Sequence, residues 1–380
     1  MVHLKQMDRS KALYGRRTYI LATLSLILFV VCTGAISVQA QTESPNFRKH
    51  AFTVAEPLTV YFIDVEGGQS TLFVTPSHQS LLVDTGWPDN DDRDADRIMQ
   101  VAKQAGLDHI DYLLITHFHV DHVGGVPNLV KKIHIGTFID HGVNRETTDA
   151  VTEHGFEKYQ AVLAQSHANH ILAKPGETIP LTGLTTTIVS ADGNTIDTAL
   201  PGAGQPNPYC KNCPARPPDQ TENGRSVGIV MQYGKMRLVD LGDLTWDREM
   251  QLMCPDNKLG QMDVYVVSHH GWYPSSSPAF VNGIAPRVAI MDNGEKKGGS
   301  PAPWETIEKS PRIKDLWQLH YSDEGGAEHN VATAYIANVR GASEKGGTDG
   351  HYIRLLAYSN GKLVVFNSRT GQSKTYPAPQ

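Results

Sequence analysis

The sequence predicts an α/β (α+β) sandwich: two mixed β-sheets packed face to face, with helices on the outer faces. Three observations carry this. From residue 58 onwards, short β-branched or apolar runs alternate with segments of helical period. Strand hairpins feed into strand–helix units in both halves of the chain, the pattern of two sheets that share a core and carry helices outside. With 380 residues, 40% hydrophobic and 19% charged, the chain also has ample material for a large core.

The elements follow in order. LTVYFIDV (58–65), TLFVT (71–75) and SLLVD (80–84) read as strands separated by Gly or Ser turns. In residues 92–106, Ile98, Val101 and Ala102 recur at helical spacing, acids fill the first turn and Gly106 closes it, so a helix is expected. DYLLIT (111–116) is a buried strand, and a helix through Pro127–Val130 leads to the strand IHIGTFID (133–140). Residues 148–166 read as helix, and 171–223 as strands plus a long Pro/Gly loop. SVGIVMQY (226–233) and MRLVDLG (236–242) form a hairpin around Gly234-Lys235, followed by strands DVYVVS (263–268) and RVAIMD (287–292). Helices are expected near 247–253 and 277–284, and a last hairpin turns at Asn360-Gly361. The domain reading is a signal peptide at 1–40, a linker at 41–57, a main domain at 58–300 and a C-terminal extension at 301–380 packed on it.

The first forty residues read as an address. Basic residues up to Arg17 precede the apolar run YILATLSLILFVVCTGAISVQA, which ends in Val38-Gln39-Ala40, so cleavage after Ala40 is expected. An uncleaved anchor is the other reading, and Arg16-Arg17 also fits a twin-arginine signal. Either export route leads to a periplasmic or secreted protein, with no membrane association of the mature form. The chain's formal charge is -6, and residues 1–40 carry a balance of +4, which leaves -10 for the remainder. A net acidic body argues against non-specific binding along a phosphate backbone, so no stable nucleic-acid complex is expected. Of the cysteines beyond the leader, Cys210 and Cys213 are expected to staple the Pro-rich loop, with Cys254 left unpaired and buried.

The chemistry sits at strand ends. After Ile115-Thr116 comes His117-Phe118-His119-Val120-Asp121-His122, four metal-competent side chains in six positions. Imidazole and carboxylate are standard ligands of zinc and related cations, and three of the sixteen histidines beyond the leader do not fall together in this way by chance. Asp243 leaves the strand LVDLGD through a Gly turn, and His269-His270-Gly271 leaves DVYVVS in the same manner. Together these residues make the set that a dinuclear site needs.

With Asp84-Thr85-Gly86 before them and Gly242-Asp243 after, these motifs resemble those of the metallo-β-lactamase superfamily in type and order. FIDVEGGQS, the hairpin ending in LVDLGD and VVSHHG are most similar to the branch containing the β-lactamase-like domain of ComEC-type DNA-uptake proteins, over about residues 58–295. The resemblance implies an αββα sandwich. It implies that His117 and His119 bind a first metal, that Asp121 and His122 bind a second, and that Asp243 bridges them. One of His269 and His270 would complete the second site; His269, directly off the strand, is favoured, with His270 facing substrate. Asp84 would orient the ligand loop by hydrogen bonding.

One element departs from the family pattern. A further His usually serves the first metal just before the hairpin that ends in Asp243, but here the stretch reads Glu222-Asn223-Gly224-Arg225-Ser226. His141, at the end of its strand, is the local substitute. The chemistry implied is hydrolysis by a hydroxide bridging two Zn2+ (or Mn2+) ions, with Asp121 and Asp243 positioning it and a His such as His270 protonating the leaving group. The substrate expected is a small molecule of phosphodiester type. A lactone, carboxylic ester or β-lactam, or a metal-binding module without catalysis, are the alternative readings.

Overall fold

The computed structural model describes residues 56–88, 90–339 and 350–379; the leader expected over 1–40 lies outside them. The described residues fall in one compact unit, Thr53–Gln380. Its first half runs β1 (Leu58–Phe62), β2 (Thr71–Val74), β3 (Ser80–Val83), α1 (Arg93–Gln104), β4 (His109–Leu114), the single turns α2 (Val120–Val123) and α3 (Val126–Leu129), β5 (His134–Asp140), α4 (Ala150–Ser166) and β6 (Asn169–Leu172). The second runs β7 (Thr178–Ile179), β8 (Thr185–Ala191), β9 (Asn194–Thr195), β10 (Gln205–Pro206), β11 (Gly228–Tyr233), β12 (Met236–Asp240), α5 (Trp246–Met253), β13 (Asp256–Asn257), β14 (Val264–Val266), α6 (Pro278–Ile284), β15 (Val288–Met291), α7 (Pro301–Glu308), β16 (Asp315–His320) and β17 (Ile336–Asn338). Three strands close the chain: β18 (Ile353–Ala357), β19 (Leu363–Asn367) and β20 (Ser373–Tyr376).

One sheet has the order β20-β19-β18-β1-β2-β3-β4-β5-β6, the other β17-β16-β15-β14-β12-β11-β8-β7 with β9 on β8. The residues after 300, expected as an extension packed on the main domain, are woven into both sheets. β18 pairs with β1 from Leu58↔Ala357 to Phe62↔Ile353, and β16 pairs with β15. Burial alternates along β18 (IRLLA) and β19 (LVVFN), so each strand turns one face to the core, and β1 supplies the edge beside β18.

The period of two sorts side chains into layers. Leu58, Val60 and Phe62 of β1 face Leu238, Val264, Ile290 and Trp317 in the core between the sheets. Tyr61 and Ile63 point the other way, to α1 through Ile98, Val101 and Ala102. Across the molecule Val239 and Leu241 meet Leu252 of α5, Phe280 and Ile284 of α6 and Ile307 of α7. Helix, sheet, sheet, helix is the resulting order, the αββα sandwich expected.

The cysteine pairing differs from expectation. Cys210 is bonded to Cys254, and Cys213 is the free, buried thiol. The ribbon of β10 with β13 explains this: Pro206 pairs with Asp256, which carries the Pro-rich loop onto the end of α5. A partner 44 residues away thus lies beside Cys210.

In both sheets the inner strands β3, β4 and β5, and β12, β14, β15 and β16, run parallel. Their C-terminal ends collect every histidine and aspartate singled out above, at the edge where α/β folds place ligands.

Candidate metal centre

The loop after β4 is shaped by Asp84, which follows β3. Asp84 is fully buried and has φ 59°, a left-handed backbone uncommon outside glycine. Its Oδ1 accepts from Thr116 N at 2.8 Å, and its Oδ2 accepts from Thr116 Oγ1 and His122 Nδ1, both at 2.7 Å. Gly68 and Gly125 allow the surrounding loops to close: a Cβ on Gly68 would lie 2.3 Å from Asp121 O, and one on Gly125 2.1 Å from Thr85 O.

Asp84 thereby fixes His122 with Nδ1 as donor and Nε2 aimed at the carboxylates. His122 Nε2 lies 3.3 Å from Asp121 Oδ2 and 3.3 Å from Asp243 Oδ2. His270 Nε2 completes the group, 3.2 Å from Asp121 Oδ2 and 3.4 Å from Asp243 Oδ1. One ligand atom from each of Asp121, His122, Asp243 and His270 lies within 4.8 Å of all the others. His122 Nε2, His270 Nε2 and Asp243 Oδ1 are buried without a hydrogen-bond partner. Buried polar atoms left in that state cost about 1–3 kcal/mol each. Their convergence fits a divalent cation, which would satisfy all of them at once.

The other residues expected at the site fall around this group. His117 Nε2 lies 4.0 Å from Asp243 Oδ2 and 3.0 Å from His119 Nδ1, so these two rings and Asp243 face a common point. His269 Nε2 is 3.4 Å from Asp243 Oδ2, while its Nδ1 meets Ser275 Oγ at 3.1 Å. The histidine that joins Asp121 and His122 is therefore His270, where the sequence favoured His269. The reason is the backbone: both residues are left-handed, at φ 56° and 55°, which turns the chain off β14 so that the second ring swings inward. Two successive left-handed non-glycine residues store about 1–3 kcal/mol each, a strain found where side-chain placement matters. His141 is not brought into the group. Its Nε2 is bonded to Glu222 Oε2 at 2.9 Å, and its ring packs on Phe118.

Comparison with known proteins gives a family match for part of the chain. Residues 64–208 match the metallo-beta-lactamase superfamily. Those residues form a metallo-beta-lactamase superfamily domain. The chain is 24% identical over 258 residues to ComE operon protein 3 of Bacillus subtilis (strain 168), which supports the ComEC-like branch. That match covers 62% of this chain and 28% of the relative. Beta-lactamase-like protein 2 homolog of Caenorhabditis elegans is 36% identical over 66 residues, covering 17% of this chain and 22% of that protein. The chain thus spans less than a third of either curated relative. Among solved structures, the metallo-beta-lactamase fold protein YhfI from Bacillus subtilis aligns with a TM-score of 0.43 and 13% identity, over 69% of this chain and 96% of that one.

The charge state of the centre is set by crowding. Burial disfavours the ionised Asp121, yet Lys297 and His122 outweigh it and hold the carboxyl well below its usual range. Asp243 is likewise held low, against burial, by His122, His270 and His269. Burial would deprotonate His270, but Asp243 and its neighbours push it up to about 10. His122 is raised well above its ordinary value in the same way by Asp243, Asp121 and Asp84. His117 goes the other way: burial and the charges of His122 and His119 lower it strongly. Burial also brings His269 down to about 4. Without a cation, then, protons on His122 and His270 supply positive charge between the carboxylates.

Several contributors were not placed at the centre by the sequence reading. Lys297 Nζ contacts Asp121 Oδ2. Glu146 Oε2 meets His119 Nε2 at 3.0 Å and accepts from Glu222 N at 2.8 Å. Asn223 stands at the place of the absent family His, with its Nδ2 3.5 Å from His269 Nε2 and its Oδ1 buried and unpartnered. Asp292 Oδ1 lies 3.5 Å from His270 Nδ1. The departure from the family motif at 222–226 was the one available signal for Asn223. A second set of potential ligands, Asp64, Glu66 and His320, lies at the ends of β1 and β16. There Arg97 Nη1 already meets Asp64 Oδ2 at 2.8 Å, and His320 Nε2 meets Asp64 Oδ1 at 2.5 Å, which satisfies the charge from within the protein.

Proposed function

We propose that the protein is an exported, metal-dependent hydrolase acting on small phosphodiesters. The convergence of ligand atoms from Asp121, His122, Asp243 and His270, with those of His122, Asp243 and His270 buried and unpartnered, carries this reading. His122 and His270 with Asp121 and Asp243 would hold one ion, and His117 and His119, with Asp243 shared, the other. Divalent cations bound there acidify water towards neutrality and neutralise charge developing on a substrate oxygen. The remaining work belongs to the chain. Asp84 keeps the His122 lone pair pointed at the centre. His269, neutral at pH 7, lies beside Asp243 with its Nδ1 anchored on Ser275, where it would accept a proton released at the centre. The likeness to the ComEC-like branch supports the phosphodiester class, and the acidic body of the chain supports small substrates over long polyanions.

The test compares bis-p-nitrophenyl phosphate, a lactone and a cephalosporin on one metal-loaded preparation. Turnover of the phosphodiester is expected. Rapid turnover of the lactone or cephalosporin with none of the phosphodiester would replace the substrate assignment, and inertness towards all three would favour a non-catalytic metal-binding module. Export rests on the apolar run and Val38-Gln39-Ala40. Intact mass of the mature protein should place its first residue at Gln41, and retention of Met1 would refute cleavage.

A further inference from the structure

We propose that Lys297 is a substrate-positioning residue that selects for an anionic group beside the scissile bond. The inference rests on the hydrolase reading above and adds the charge class of the substrate to it. Among the described residues, Lys297 is the one lysine or arginine paired with a carboxylate of the ligand group, Asp121. Its side chain keeps 32% of its exposure while its ammonium contacts Asp121 and lies 5.3 Å above the ring of Trp87, so the residue bridges solvent and the centre.

The loop that carries it is fastened on several sides. Lys297 O accepts from Gly294 N at 2.8 Å, and the following residues dock on the metal loop itself: Gly299 N donates to His270 O and Ser300 N to Gly271 O, both at 2.9 Å. Ser322 Oγ donates to Gly298 O at 2.8 Å. Gly298, at φ +82°, approaches so closely that a Cβ would lie 2.2 Å from His270 O. A flexible surface lysine needs no such support; this one is held to the backbone of a ligand histidine.

The electrostatics give the fastening a purpose. A cation at Asp121 takes over the charge that Lys297 now balances, and the ammonium, still tethered over the centre, is left to find another anion. That ammonium is a positive charge beside the centre that no ligand carboxylate then neutralises. A substrate carrying a phosphoryl or carboxylate oxyanion complements it, and a neutral ester does not. Charge-assisted hydrogen bonds to such oxygens are the strong ones.

The experiment uses metal-loaded full-length protein and the variants Lys297→Met and Lys297→Arg. Metal content is measured first and is expected to equal the wild type. Inorganic phosphate is then titrated calorimetrically. Lys297→Met should bind it at least tenfold more weakly, and Lys297→Arg should recover most of the loss. Kinetically, KM for bis-p-nitrophenyl phosphate should rise at least tenfold in Lys297→Met, while kcat/KM for neutral p-nitrophenyl acetate changes less than threefold. Equal losses on anionic and neutral substrates, or unchanged phosphate affinity, would overturn the proposal. Should the wild type hydrolyse neither ester, the hydrolase reading fails, and phosphate binding alone still decides for or against Lys297.

Discussion

Asp84→Asn isolates the hydrogen bond that aims His122. The replacement has nearly the same shape, and Asn tolerates the left-handed backbone that Asp84 adopts at φ 59°. The retained amide oxygen can still accept from Thr116 N. The new NH2 occupies the place of Oδ2, which now takes protons from both Thr116 Oγ1 and His122 Nδ1 at 2.7 Å. Thr116 can turn its hydroxyl around, but His122 must move its own proton to Nε2, the atom that lies 3.3 Å from Asp121 and Asp243. That proton blocks the lone pair a cation needs. Losses of this kind weaken metal binding about 10–100-fold, which corresponds to about 1.4–2.7 kcal/mol. Asp292→Asn provides a graded control, because its contact with His270 Nδ1 is longer, at 3.5 Å; a loss below about tenfold is expected there. Competition against a chromophoric chelator at pH 7.5 reads both affinities. An Asp84→Asn affinity within twofold of wild type, with the fold intact by circular dichroism, would refute the role given to Asp84.

Two further outcomes follow from the centre and the disulfide. In the metal-free protein His270 is pushed up to about 10 and His122 is raised well above its ordinary value, so both carry protons at pH 7. A raised folded-state pKa contributes stability that is complete below the unfolded value of about 6.5 and disappears as pH climbs through the folded one. Urea denaturation of the apo protein should therefore show stability falling by several kcal/mol between about pH 6.5 and 10, and calorimetry in buffers of different ionisation enthalpy should show about two protons released on metal binding at pH 7. A flat stability profile with no proton release would contradict the protonation scheme. Cys254→Ser opens a loop of 44 residues. Chain entropy then gives a loss of about 4 kcal/mol, read as a lower Tm; an unchanged Tm would show that the Cys210 bond is not formed in solution.

The legible part of this protein was the part written in local pattern. Strand runs such as Leu58–Phe62 and Met236–Asp240 are short, largely apolar stretches bounded by turn residues, and His117–His122 crowds its ligands into six positions. What stayed hidden depends on contacts between distant segments. The choice of His270 over His269 is made by two left-handed residues whose conformation no propensity announces. Lys297 stood in the sequence as half of an ordinary Lys-Lys pair, and only docking of its loop on His270 and Ser322 brings it to Asp121. Cys254 finds Cys210 through a two-stranded ribbon of only four residues, too short to leave a periodic trace. The hairpin of β18 and β19 was readable from Asn360-Gly361, whereas β20 was not, and their place beside β1 follows from which sheet edge was open.

The measurement closest to the central claim is the initial rate of bis-p-nitrophenyl phosphate hydrolysis as zinc or manganese is titrated into apo protein, with bound metal quantified at each point and Asp243→Ala run beside it. If Asp243 bridges two ions, the rate should be absent without metal, rise to a plateau at close to two ions per chain, and fall with one ion lost in Asp243→Ala. A rate independent of added metal, or a wild type that binds one ion or fewer with no change in Asp243→Ala, would contradict the account.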